Sequence, residues 1–87
     1  MWTHLAAEYF GTLILVSVIA FIHSPLAIGT ALWIAIILVG KYSGGHFNPA
    51  VTLWAFLSNK IGLQTAGLHV LAQLAAAATV WFLKPRA

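Results

Sequence analysis

Ser43-Gly44-Gly45-His46-Phe47-Asn48-Pro49-Ala50-Val51-Thr52 is a short, polar, glycine-rich break between runs of apolar sequence. Asn48 followed by Pro49 reads as a helix N-cap and first helical position. The Asn oxygen can accept from the backbone N–H of Ala50 or Val51, and Pro49 has no N–H to leave orphaned. The helix that follows, Pro49 to about Leu57, is apolar through Ala50, Val51, Leu53, Trp54, Ala55 and Phe56 and halts at Ser58-Asn59-Lys60. About nine residues at ~1.5 Å each reach roughly 14 Å, near half of a ~30 Å hydrocarbon core. A half-helix that begins at mid-membrane needs its loop buried in protein or facing a water-filled path, because lipid cannot satisfy free backbone groups.

Composition sets the class around that break. The 87 residues are 62% hydrophobic and 6% charged, which excludes an ordinary soluble domain. There is no cysteine, hence no disulfide framework and no cysteine metal site. The net charge of +3 comes from four basic residues against one acid, so it reflects scarcity of acid rather than a basic patch. Nucleic-acid binding has no support. A signal peptide is not expected, since the first apolar run contains Glu8 and no basic residue precedes it.

The economical reading is an all-α membrane protein with three transmembrane helices plus one re-entrant half-helix, forming a single unit over residues 1–87. The first span is expected over about 5–22, with Trp2 as an interfacial anchor. His23-Ser24-Pro25 is a tight turn in which Ser24 caps the second span, expected over about 26–39, with Gly40-Lys41-Tyr42 marking an interface. The loop and half-helix occupy 43–57, and the third span runs over about 63–83 to a stop at Lys84-Pro85. Small residues at four-residue spacing (Ala7 and Gly11, Ala72 and Ala76) permit close helix contact in lipid, although the alanines from 75 to 78 are also simply good helix composition. Counting spans puts the N-terminus, Lys41 and Lys60 on one side and His23, Lys84 and Arg86 on the other. Basic residues balance across the membrane, so the positive-inside rule gives almost no preferred orientation. Either a small protein has few charges, or copies insert both ways up.

Ser43 to Leu53 resembles the first re-entrant loop of the aquaporin and glycerol-facilitator family. Ala7-Glu8-Tyr9-Phe10-Gly11-Thr12 is similar to that family's first helix, and Ala72-Gln73-Leu74 to its third. Family members carry two such halves in one chain, and this sequence has one. A single copy would leave the loop facing lipid, with unpaired backbone groups at several kcal/mol each. Inverted repeats are a general way to build a midplane site between broken helices. An antiparallel homodimer would therefore recreate an aquaporin-like pore of six spans and two half-helices. A separately encoded second half is the alternative, which balanced flanking charge disfavours. Family members usually form tetramers of pores.

The resemblance also implies a site. Asn48, Pro49 and Ala50 would stand at the pore midplane, with the carbonyls of Gly44, Gly45, His46 and Phe47 along one wall. If the Asn48 oxygen caps its own helix, its NH₂ is left to face the lumen as a donor. Opposed half-helix N-termini put positive potential at the midplane, the usual barrier to protons and cations in aquaporin-type pores. Glu8, the only acid, is expected to accept backbone N–H bonds that hold the loop, and Gln73 to brace it similarly. Aligned by distance from Asn48, the constriction candidates are Ile28, Ile36, Gly45 and Val51, with no arginine at the position where the family usually carries one after its second Asn-Pro-Ala. That leans toward small neutral solutes such as glycerol, with water also passing.

No cofactor, metal or catalytic group is expected. His46 reads as a loop brace rather than a metal ligand, because no second ligand sits at helical or loop spacing. His4, His23 and His69 receive no role. The expected function is a passive channel for water and small uncharged solutes that excludes protons and ions. Its expected setting is the cell (inner) membrane, and its partners are lipid and an inverted copy of itself. Two other readings compete. One is a dual-topology proton-coupled antiporter using Glu8, which gives no role to a half-length helix opened by Asn48-Pro49. The other is a non-conducting subunit that packs onto a full-length channel.

Overall fold

In a computed structural model that describes residues 2–85, the chain forms α1 (Trp2–Phe21), α2 (Pro25–Ser43), α3 (Pro49–Leu57) and α4 (Leu63–Leu83). The long helices α1, α2 and α4, of 20, 19 and 21 residues, are each long and apolar enough to cross a membrane. Their packing inverts the soluble pattern. Ala7, Gly11, Ala31, Ala35, Ala66 and Ala76 are buried, while Leu26, Trp33, Ile37, Leu71 and Phe82 point outward. Lipid gives no hydrophobic drive for helices to associate, so small residues that let backbones approach carry the interior.

Two helix boundaries differ from the sequence expectation. α2 does not stop near Val39 but continues through Gly40, Lys41 and Tyr42 to Ser43. Its end is set by Gly44 at φ 92°, a left-handed cap whose N–H bonds to the Gly40 carbonyl at 2.7 Å. A polar residue marks depth in the membrane, whereas the helix ends where a residue can turn left-handed. α1 starts at Trp2 rather than Leu5 and gives way before His23, which stands at φ 62°. Ser24 then caps α2, its Oγ accepting from Ala27 N at 3.3 Å.

α1 and α4 run in the same direction, since the His4 ring lies near that of His69 and Glu8 bonds Gln73. α2 returns antiparallel along α1, bringing Ser43 at its end back to Glu8 near the start of α1. α3 lies on the first half of α4, where Leu53 and Phe56 share a groove with Ala66, Gly67 and Val70. The α3 N-terminus shares a cavity with Thr12 and Leu15 of α1 and Gln73 and Leu74 of α4, residues near the middle of both long helices. Thus α3 starts halfway along its neighbours and ends beside the start of α4. The return to α4 is made at Asn59, φ 61°, with Lys60 N bonded to the Ala55 carbonyl at 2.9 Å.

Candidate functional site

Glu8 is fully buried, and its carboxylate meets four donors. Oε2 accepts from Ser43 Oγ at 2.6 Å and from the His46 backbone N–H at 3.2 Å. Oε1 accepts from the Phe47 backbone N–H at 2.9 Å and from Gln73 Nε2 at 2.8 Å. Donors from α2, the loop and α4 thus converge on one anion carried by α1. Charge-assisted bonds of this kind are roughly twice as strong as neutral ones. They tie the loop to the helix bundle at the point where its own backbone has no helical partner.

The loop backbone needs that grip. Gly44, Gly45 and Phe47 have φ of 92°, 70° and 51°, all left-handed. Glycine adopts this freely, but a left-handed residue with a Cβ costs about 1–2 kcal/mol. Phe47 is held there from both ends, by its N–H to Glu8 and by its ring, which is buried against Gly11. A methyl group added at Gly11 would sit 2.0 Å from the ring. Phe47 was expected to contribute only a carbonyl, so its side-chain role is a finding of the fold.

The remaining predicted residues fall as follows. Asn48 is exposed, and its Oδ1 accepts from Ala50 N at 2.8 Å, leaving the NH₂ free to point away from the helix it caps. Pro49 and Ala50 are exposed beside it. Among the described residues, none of the carbonyls of Gly44, Gly45, His46 and Phe47 accepts a hydrogen bond from the chain. Gln73 Nε2 bonds Thr52 Oγ1 at 2.8 Å as well as Glu8, so it braces α3 and the loop together. Of the four constriction candidates, Ile36 and Gly45 abut: a Cβ on Gly45 would lie 3.5 Å from Ile36 Cγ1. Ile28 stands eight residues earlier on the same helix, roughly 12 Å away along its axis, so one chain does not gather the four into one ring. Val51 is 41% exposed on α3.

Three residues were missed or undervalued. Ser43 donates to Glu8 and accepts from Gly45 N at 3.2 Å, so it shapes the loop as well as ending α2. Thr52 is fully buried between Gln73 and His46 Nδ1, the latter at 2.9 Å. His69 is buried with its Nδ1 3.3 Å from His46 Nδ1, which supplies the second imidazole that linear spacing did not reveal. The available signal was periodicity. His69 and Gln73 are four apart on α4, as His4 and Glu8 are on α1, so each pair shares a helix face.

A family model for the major intrinsic proteins matches residues 16–84, most of the chain and all of the loop. The chain belongs to the major intrinsic protein family. Its relatives in that family include Aquaporin-5 of Sus scrofa, 37% identical across 82% of this chain and 31% of the relative. Aquaglyceroporin AqpS of Rhizobium meliloti is 36% identical across 68% of this chain and 25% of the relative. Aquaporin TIP1-2 of Musa acuminata is 45% identical across 61% of this chain and 21% of the relative. The chain therefore spans about a fifth to a third of the length of these relatives. No solved structure matches it significantly. As a major intrinsic protein with three membrane-length apolar helices, the chain is an integral membrane protein.

Proposed function

We propose that this chain is one half of a passive membrane pore for water and small uncharged solutes, completed by an inverted second copy. The observation that carries the reading is the position of the α3 N-terminus. Asn48 and Pro49 are exposed beside the middle residues of two membrane-length helices, at a cavity of about 280 Å³. In lipid, exposed backbone at that depth has no partner, so the surface calls for protein or water on its far side. In this reading α3 is a re-entrant half-helix. A twin related by a two-fold axis in the membrane plane would set two Asn48 amides and two helix N-termini face to face.

The chemistry of such a midplane favours neutral oxygen-bearing solutes. Each Asn48 has committed its oxygen to Ala50 and so presents N–H donors to the lumen. Unclaimed loop carbonyls present acceptors along one wall. Water or a polyol can exchange its hydration for this row, whereas a cation meets the positive ends of two half-helices. With Val51 where an arginine would narrow the path, we place glycerol-type solutes alongside water. The two chains would carry two equivalent constrictions, one toward each mouth. Glu8 is a brace in this scheme, because its four donors already occupy both oxygens.

Reconstituted vesicles test the function. Stopped-flow swelling under osmotic and glycerol gradients should show water and glycerol flux that is indifferent to an imposed proton gradient. Flux that requires the proton gradient would support the antiporter reading instead, and vesicles no more permeable than lipid alone would support a non-conducting subunit.

A further inference from the structure

The cavity at the α3 N-terminus is lined by two buried polar side chains, Thr12 of α1 and Gln73 of α4, which are 3% and 2% exposed. Thr12 Oγ1 and Gln73 Oε1 have no hydrogen-bond partner among the described residues. Buried polar atoms are nearly always paired, and one left alone costs stability. The unpaired Gln73 oxygen does not arise from a reversible amide. Gln73 Nε2 donates to Glu8 Oε1 and to Thr52 Oγ1, both at 2.8 Å. A carboxylate only accepts, so the nitrogen must face Glu8 and the oxygen must face away from it. Asn48 lines the same cavity, has committed its oxygen to Ala50 N and keeps a free NH₂. The cavity thus gathers an acceptor, a hydroxyl and a donor within a wall that also holds Leu15, Val16 and Leu74. A helical Thr divides between two χ1 rotamers, so the Thr12 hydroxyl can turn to the cavity without moving the backbone.

We propose that this cavity is a binding site for a resident water molecule, held by Thr12, Gln73 and Asn48. The water accepts from the Thr12 hydroxyl and from the Asn48 NH₂, and donates one hydrogen to Gln73 Oε1. Three bonds are the usual complement of a buried water. The cavity, about 280 Å³, is ample for the ~30 Å³ that one molecule takes up. The second hydrogen of the water stays available to an oxygen in the lumen, so the site extends the row of donors one step beyond Asn48. It also joins α1 to α4 beside the loop, on the side of Gln73 that Glu8 does not reach. The site rests on the pore reading for its supply of water, because lipid on that face would bring none.

The test begins with two substitutions in the full chain, unfolded reversibly in mixed micelles. Thr12→Val keeps the volume and loses the hydroxyl. It should lower the folding equilibrium constant roughly tenfold, because Gln73 Oε1 loses the water that pairs it. Thr12→Ser loses a methyl but keeps the hydroxyl, and should fall less than Thr12→Val. Packing alone gives the reverse order, and that order would overturn the site. The water itself is read in the unmodified chain, by an experimental structure fine enough to show ordered solvent. One ordered water within hydrogen-bond reach of Thr12 Oγ1 and Gln73 Oε1 is the expected result. A Thr12 hydroxyl bonded directly to Gln73 or to its own helix, or side chains of a second copy filling the cavity, would overturn it. Water flux through vesicles of the same preparation keeps the two readings apart. A chain that conducts without the ordered water overturns the site alone, whereas an occupied site in a chain that does not conduct supports the site and counts against the pore.

Discussion

The Phe47 ring occupies the space that a side chain on Gly11 would need. A Cβ built on Gly11 would lie 2.0 Å from Phe47 Cε1 and 2.4 Å from Cζ. One missing methyl on α1 thus lets the loop seat its aromatic ring, and that ring fixes the left-handed residue immediately before Asn48. The geometry of the cap at Asn48 depends on a glycine in the first helix.

Gly11→Ala should therefore destabilise the fold by about 1–3 kcal/mol, the usual range for overpacking a close contact. Reversible unfolding in mixed micelles measures it. Combining Gly11→Ala with Phe47→Leu should recover part of the loss, because the smaller side chain vacates the space. Additive losses in the double variant would show that the two residues are not in contact.

Glu8→Gln should weaken folding and assembly by roughly 3 kcal/mol, since hydrogen bonds to a charged group contribute about 1.5–3 kcal/mol each and the amide turns an NH₂ toward backbone donors. Yield, unfolding midpoint and oligomer size report this. The flux of each correctly assembled pore should be nearly unchanged. A well-assembled variant whose flux gained or lost proton coupling would contradict the bracing role.

Much of this was legible in the sequence, and for local reasons. Asn48-Pro49 carries its own cap geometry, and the apolar run after it has a definite end, so α3 could be read from neighbouring residues alone. The boundary of α2 could not. Lys41 and Tyr42 look like the end of a span, yet a helix continues until a residue can turn left-handed, which here is Gly44. Contacts across the bundle were the least visible. His69 and His46 are 23 positions apart, and nothing in either local stretch says that α4 will carry one imidazole against the other. The resemblance of Glu8 and Gln73 to family positions pointed to two braces. Ser43, Thr52 and the Phe47 ring were quoted within the loop, but their partners belong to other helices.

Val51→Arg places a guanidinium on the exposed face of α3, where the side chain is 41% accessible. In the proposed pore it should cut glycerol flux more than water flux, by narrowing the path while adding donors. Paired osmotic measurements on the same vesicles give the ratio. An unchanged glycerol flux would remove Val51 from the constriction.

The inverted pairing is tested most directly by topology. The chain has no cysteine, so Ser58→Cys, in the exposed turn after α3, provides a single thiol for a membrane-impermeant reagent applied to sealed vesicles. The account predicts that about half the chains react from outside and the rest only after the interior is made accessible, within one purified assembly. Labelling of every chain from the same face would contradict it.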